Sequence, residues 1–178
     1  MNPSQCRQRG LTLVEMATVT ALAAVLVGAV APGFQQAQLR RQLEGVAAQL
    51  ETDLQLARSE AVARNESVRV GFARSDDGGS CYVLHTGAAG GCECDGSGRT
   101  ACSDGAVALR SVALDAAHPV QLRSRTASIL FDAVKGTVTP TATLQLQSAA
   151  GDLHQVVNLM GRIRTCSPGG AVAGYRAC

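Results

Sequence analysis

Residues 11–31, which read LTLVEMATVTALAAVLVGAVA, decide how this chain is organised. Glu15 is the only ionisable side chain in the run, and a helix of this length spans about 30 Å, the thickness of a hydrocarbon layer. The run therefore predicts a helix inserted in a membrane. A carboxylate in an apolar layer is stable only when it is paired, so Glu15 needs a specific partner.

A short basic leader precedes the apolar run. A secretory signal has its cleavage site after the apolar core, whereas the small residue that suits a cut here, Gly10, lies before it. Cleavage between Gly10 and Leu11 would keep the helix and would create an α-amine one helical turn from Glu15. The alternative is an ordinary signal anchor that contains a chance glutamate.

Residues 9–16, Arg-Gly-Leu-Thr-Leu-Val-Glu-Met, resemble the leader of type IV prepilins and type II secretion pseudopilins. The usual form has Gly followed by Phe-Thr-Leu-Ile-Glu-Leu, and Leu11 replaces the phenylalanine. The resemblance implies that prepilin peptidase cuts after Gly10 and methylates the amine of Leu11. It implies that Glu15 neutralises that amine of an adjacent subunit during filament assembly. The implied partners are other pilins or pseudopilins, membrane lipid and an inner-membrane assembly platform.

Length and charge fit one modest domain behind an anchor. The chain has 178 residues, and removing Arg7 and Arg9 with the leader leaves 14 of its 16 basic residues against 14 acidic ones. This balance gives no support to nucleic-acid binding by the chain as a whole, so such a function needs a local patch. The two leader arginines predict a single-pass protein with a cytoplasmic N-terminus and a periplasmic domain at the bacterial inner membrane.

The cysteines fit an oxidising compartment. Of the seven, Cys6 lies in the leader, and the remaining six allow three disulfides. Cys166 and Cys178 are neighbours at the C-terminal end and are expected to pair. The other four are expected to pair among themselves: Cys81, Cys92, Cys94 and Cys102. A zinc site is the rival interpretation, but the C-x10-C-x-C-x7-C spacing lacks C-x2-C knuckles.

Beyond the apolar run, the sequence predicts a helix followed by strands. Apolar side chains recur at steps of three and four: Leu39, Leu43, Val46, Ala47, Leu50, Leu54, Ala57 and Ala61. This pattern predicts one long helix, kinked near Pro32, whose second half packs on a globular domain. The predicted regions are a leader (1–10), a transmembrane or filament-core helix (11–31), an amphipathic extension (32–65) and a β-rich domain (66–178).

From Glu66 onward the apolar period changes to two. Alternation at residues 68–73 and the turn Asp77-Gly78-Gly79 predict a hairpin that returns through Tyr82. Further strands are predicted at Ala106–Leu114, Val120–Arg123, Ser128–Phe131, Thr137–Gln147 and His154–Met160. The glycine-rich segment 87–105 is expected to be an irregular loop. The fold class is α+β, with the long helix packed on an antiparallel sheet or small sandwich, as in pilins.

Gly161-Arg162-Ile163-Arg164 is the most specific local feature outside the N-terminal region. In an extended chain Arg162 and Arg164 point to the same face, about 6.6 Å apart, and the residue between them points inward. Two neighbouring guanidinium groups suit phosphates. The alternative is a solvated strand face, or pairing with carboxylates such as Asp132 and Asp152.

Residues 128–178 resemble the FimT and GspH family of minor pilins and pseudopilins, through Phe131-Asp132, Lys135-Gly136 and the Gly-Arg-x-Arg element. In the FimT branch that element is associated with capture of double-stranded DNA during natural transformation. The resemblance implies DNA contact by Arg162 and Arg164, and a Cys166–Cys178 bridge would hold Arg176 nearby. Such binding should be weak, salt-sensitive and indifferent to base sequence. A GspH-like pseudopilin without a nucleic-acid role and a simple anchored periplasmic domain are the alternatives.

The sequence contains no recognisable catalytic motif. The histidines at 85, 118 and 154 are scattered, and the aspartates lack the spacing of a calcium loop. We therefore expect a structural subunit rather than an enzyme, without a metal or cofactor.

Overall fold

The computed structural model describes residues 12–75, 77–95 and 97–178. Gly10 and Leu11 lie outside these residues. The chain divides into two compact units between Gln38 and Leu39. The first unit contains the apolar part of the N-terminal helix, and the second contains the rest of that helix and all the described strands.

One helix, α1, runs from Leu13 to Arg64. Its start is capped by Thr12, whose hydroxyl accepts a hydrogen bond from the Glu15 backbone N–H at 3.2 Å. Its end is a Schellman turn, in which Asn65 has a φ of 49° and the N–H of Glu66 donates to Ala61 O at 3.2 Å. The single long helix is therefore confirmed, and the kink near Pro32 stays a prediction.

Eleven strands follow in the described residues, and all of their pairings are antiparallel. They are β1 (Val68–Arg74), β2 (Ser80–Thr86), β3 (Cys92–Cys94), β4 (Thr100–Cys102), β5 (Ala108–Leu114), β6 (Val120–Ser124), β7 (Ser128–Phe131), β8 (Val138–Thr139), β9 (Ala142–Ser148), β10 (Gly151–Val157) and β11 (Ile163–Cys166). The two larger sheets have the orders β5-β2-β1-β7-β8 and β11-β10-β9-β6, and β3 pairs with β4 in a separate two-stranded sheet.

The second half of α1 packs on both sheets. Its buried stripe consists of Leu43, Ala47, Leu50, Leu54, Ala57 and Ala61, and Val46 packs beside it. The sheets contribute the large buried side chains of Tyr82, Phe131, Ile129, Leu144, Leu146 and Leu153. The predicted helix stripe and the α+β class are confirmed, and every buried residue of this core lies between Leu43 and Val172.

The segment 87–105 is not an irregular loop, and that prediction was wrong. Strands β3 and β4 form a two-stranded ribbon in which Cys92 lies opposite Cys102. Asp95 closes the turn between them, because its carboxylate accepts hydrogen bonds from Ser97 N at 3.0 Å, Ser97 Oγ at 2.6 Å and Arg99 N at 3.0 Å. The Ser97 hydroxyl bond is the main reason that the pKa of Asp95 falls to about 2.

Two strand boundaries also differ from the prediction. The single strand expected at Thr137–Gln147 is divided into β8 and β9 around Pro140, which has no N–H to donate to a ladder. The strand expected at His154–Met160 begins earlier, at Gly151, and ends at Val157. Residues 158–162 form the turn into β11, because the N–H of Gly161 donates to Asn158 O at 2.9 Å.

Candidate functional site

The Gly-Arg-x-Arg element lies on the hairpin formed by β10 and β11. Val157 is opposite Ile163 and Val156 is opposite Arg164. Asn158 closes the turn, since its side-chain Oδ1 accepts a hydrogen bond from Arg162 N at 2.9 Å and its backbone N–H donates to Arg162 O at 3.1 Å. The hairpin register thus fixes the backbone from which both arginines project.

Gly161 has two structural reasons to be glycine. Its φ is 72°, in the left-handed region that side chains disfavour. A methyl group at this position would also lie 3.1 Å from Gly136 O and 3.3 Å from Arg58 Cζ. The glycine therefore permits close approach of the β7–β8 loop and of a side chain from α1.

Arg162 and Arg164 are exposed and lie on one face of the hairpin, while Ile163 packs against the core. With Val156 and Asn158 they line a shallow cavity of about 230 Å³. Within residues 12–75, 77–95 and 97–178, neither guanidinium forms an ion pair. The alternative that they pair with Asp132 or Asp152 is therefore not realised, and both charges face solvent.

Asp132 has a different role. Its carboxylate accepts hydrogen bonds from Lys135 N at 2.7 Å and Val134 N at 3.0 Å, which order the β7–β8 turn. The Lys135 bond, followed by the Val134 bond, lowers the pKa of Asp132. This carboxylate stays charged within its own turn rather than neutralising the arginines.

The C-terminal tail returns to the end of β11. Cys166 bonds to Cys178, and Ser167 N donates to Arg176 O at 2.9 Å. Arg176 is exposed and lies beside Ser167. Ser167 is three residues beyond Arg164, which corresponds to about 10 Å along an extended chain. In the described part of the chain it does not line the cavity with Arg162 and Arg164.

Four further cysteines form the disulfides Cys81–Cys94 and Cys92–Cys102, and Cys6 lies outside the described residues. All three bonds follow the predicted grouping, and the four cysteines between Cys81 and Cys102 are bonded to sulfur rather than available to zinc. No group of three or more His, Cys, Asp or Glu side chains that could hold a metal occurs among the residues that the structure describes.

A second cavity, of about 430 Å³, lies between the β3–β4 ribbon and β1. His85 lines it and is 1% exposed. Its Nδ1–H donates to Thr86 O at 2.9 Å, which leaves Nε2 as an acceptor, and Nε2 has no partner in the described residues. Glu93 and Ser128 also line this cavity, and neither forms a hydrogen bond with the imidazole in the described residues.

A buried polar cluster that was not predicted from the sequence joins α1 to the first sheet. Asp53, on α1, is 1% exposed, accepts a hydrogen bond from the Tyr82 hydroxyl at 2.7 Å and pairs with Arg110 Nε at 2.9 Å. Burial, then the hydrogen bond from Tyr82 to Asp53, raises the pKa of Tyr82 well above its usual range. The signal that could have found this cluster is an acidic residue beside the apolar stripe of the helix.

Glu15 lies in the first turn of α1 with an exposed side chain. The amine proposed as its partner belongs to Leu11, outside the described residues. Thr12 and Glu15 have the spacing of a capping box. A carboxylate in the first turn also stabilises the helix by its favourable interaction with the helix dipole. α1 is long and apolar enough to cross a membrane by length and composition.

Comparison with known proteins gives the family. The model described as Type II transport protein GspH matches residues 46–161. The chain belongs to the GspH family. The match ends at Gly161, so Arg162 and Arg164 lie just beyond it.

Two solved structures resemble this GspH-family chain. A crystal structure of the type IV minor pilin FimU from Pseudomonas aeruginosa, in space group P21, has a TM-score of 0.52 and 21% identity, covering 76% of this chain and 96% of that one. Another, in space group P65, has a TM-score of 0.48 and 20% identity over 74% of this chain and 98% of that one. The first likeness establishes the pilin-like fold. No curated protein matches the chain.

Proposed function

We propose that this protein is a minor pilin or pseudopilin subunit of a type IV pilus or a type II secretion pseudopilus. The observation that carries the proposal is membership in the GspH family over residues 46–161, joined to an apolar N-terminal helix. Prepilin peptidase removes residues 1–10 and methylates Leu11. Residues 11–31 hold the subunit in the inner membrane, and the domain from residue 66 onward lies in the periplasm.

Glu15 is the assembly residue in this proposal. Its carboxylate pairs with the amine of Leu11 on a neighbouring subunit, because an unpaired charge in an apolar filament core is unfavourable. Replacing it by alanine removes the attraction without making the helix less apolar. We expect Glu15→Ala to insert in the membrane normally and to be absent from sheared filaments.

Thr18→Ala is the matched control for Glu15→Ala. In the described residues the Thr18 hydroxyl donates a hydrogen bond to the backbone oxygen of Glu15 at 3.0 Å. Its loss removes a polar group from the same segment without removing a charge. Normal filament incorporation of Glu15→Ala would contradict the assembly role. Mass spectrometry of the native protein tests processing separately, and retention of residues 1–10 would contradict cleavage after Gly10.

Binding of double-stranded DNA is the second proposed function, and a pseudopilin without a nucleic-acid role is its rival. It is favoured by the exposed position of Arg162 and Arg164 on one face without carboxylate partners. Guanidinium groups in this arrangement bind phosphates, and Arg176 is a more distant candidate for the same role.

A gel shift with duplex DNA at low salt tests this function. We expect the full-length protein in non-ionic detergent to retard the duplex and the double variant Arg162→Ala, Arg164→Ala to lose this activity. Arg176→Ala is expected to have a smaller effect. Equal retardation by the native protein and the double variant would contradict DNA binding through this element.

A further inference from the structure

Arg58 on α1 lies directly against the Gly-Arg-x-Arg turn, although it is distant in sequence. Methyl groups placed at Gly161 and Gly136 would lie 3.3 Å and 3.7 Å, respectively, from Arg58 Nε. Two glycines from different loops thus leave room for this one guanidinium.

Arg58, like Arg41 of the same helix, forms no ion pair among the described residues, whereas Arg40 and Arg64 do. Arg40 pairs with Glu44 at 2.9 Å and Arg64 pairs with Glu60 at 2.6 Å, each one helical turn away. The residues one turn from Arg58 are Leu54 and Val62, which offer no carboxylate. In the part of the chain that the structure describes, Arg58 forms no ion pair, and it is exposed.

A shallow groove of about 680 Å³ joins Arg58 to Arg162 along the helix surface. Its only charged lining residues are these two arginines, and Gln55, Ser59, Val62 and Ile163 complete most of the wall. A groove with two positive charges and no negative one favours a polyanion over a protein surface that contains charges of both signs.

We propose that Arg58 is a third phosphate-binding residue for DNA, acting with Arg162 and Arg164. The three guanidinium groups form a cationic strip that begins on α1 and crosses the β10–β11 turn. The proposal rests on DNA binding by the Gly-Arg-x-Arg element. It adds a residue from a different part of the chain, one that lies inside the family match rather than beyond it.

The test measures DNA affinity of the full-length protein in non-ionic detergent at several salt concentrations. A phosphate contact contributes about 0.9 to the slope of log K against log salt. Arg58→Ala should therefore reduce the slope by about 1 and raise Kd roughly fivefold, the upper range for an exposed charge pair. Arg58→Lys should retain the slope, because the charge remains.

Arg123→Ala is the matched control. Arg123 is an exposed arginine on β6, at the opposite edge of the sheet that contains β11, and its loss changes the net charge equally. Thermal unfolding by circular dichroism should be the same for both variants. A structural role for Arg58 would lower thermal stability without changing the salt slope, and that result would overturn the proposal.

The other outcomes are also distinguishable. If Arg162→Ala with Arg164→Ala abolishes binding while Arg58→Ala behaves like Arg123→Ala, the role of Arg58 is refuted and DNA binding stands. If the native protein does not bind duplex DNA, or binds only vesicles of anionic lipid, DNA binding by the Gly-Arg-x-Arg element and the role of Arg58 are both refuted.

Discussion

Arg110 and Arg164 are both strand arginines that reach the surface, but they meet opposite surroundings. Arg110 extends inward to Asp53, a carboxylate that is 1% exposed, and so ties α1 to the first sheet. Arg164, on the edge strand of the second sheet, faces solvent without an ion pair in the described residues. The comparison separates arginines that maintain the fold from arginines that are available to a ligand.

The largest expected change in stability is at the buried ion pair between Arg110 and Asp53. Asp53→Ala leaves the Tyr82 hydroxyl without an acceptor and the Arg110 guanidinium without its partner. We expect the free energy of unfolding of fragment 39–178, which contains the complete described core, to fall by about 3 kcal/mol. Urea unfolding measures this change.

Glu60→Ala on the same helix is the control for Asp53→Ala. It breaks the exposed pair with Arg64, which should cost no more than about 0.5 kcal/mol. Similar losses for the two variants would contradict the distinction between buried and exposed charge pairs.

A smaller effect is expected at the turn that presents the exposed arginines. Gly161→Ala places a methyl group at a φ of 72° and against Gly136 O, so stability should fall by about 2 kcal/mol. Gly45→Ala makes the same change in an exposed part of α1 with nothing within 4 Å, and should increase stability by about 0.5–1 kcal/mol. Thermal unfolding of both variants checks the opposite signs.

The Tyr82 hydroxyl gives a pH-dependent prediction. Because its pKa is raised in the folded state, the unfolded chain loses the phenol proton first, and stability should decrease as pH rises above about 10. Tyr82→Phe should cost about 1 kcal/mol at pH 7 and should flatten this alkaline decline. An unchanged slope of stability against pH in the variant would contradict the role of the phenol.

The smallest expected change in stability is at the exposed arginine, Arg164. Arg164 is exposed and forms no ion pair with the residues that the structure describes. The free energy of unfolding of Arg164→Ala should therefore remain within about 0.5 kcal/mol of the native value. A larger loss in urea unfolding would indicate that Arg164 maintains the fold after all.

The sequence predicted the features that depend on periodicity. Leu43, Leu50 and Leu54 recur at helical spacing and are fully buried, and the alternation at Val68 and Val70 marks a strand. These patterns are local consequences of burying one face of an element, so they can be read without knowing the partner.

The missed features depend on residues that are distant in the chain. Asp53 looks like an ordinary helix charge until Tyr82 and Arg110 from two strands surround it. The β3–β4 ribbon has too few apolar residues for a strand pattern, and its pairing is held by the disulfides and the Asp95 turn instead. The position of Arg58 beside Gly161 likewise follows from the packing of α1, which periodicity alone does not specify.

The β3–β4 ribbon has a practical consequence for anyone who produces this protein. Cys81, Val83, Cys92 and Cys94 form a small apolar cluster of their own, joined by Ala73, Ala106 and Ala113. In a reducing host cytosol the ribbon would detach and uncover Val83 and its neighbours on a sheet face, which favours aggregation. Expression with export to an oxidising compartment should therefore give the higher soluble yield.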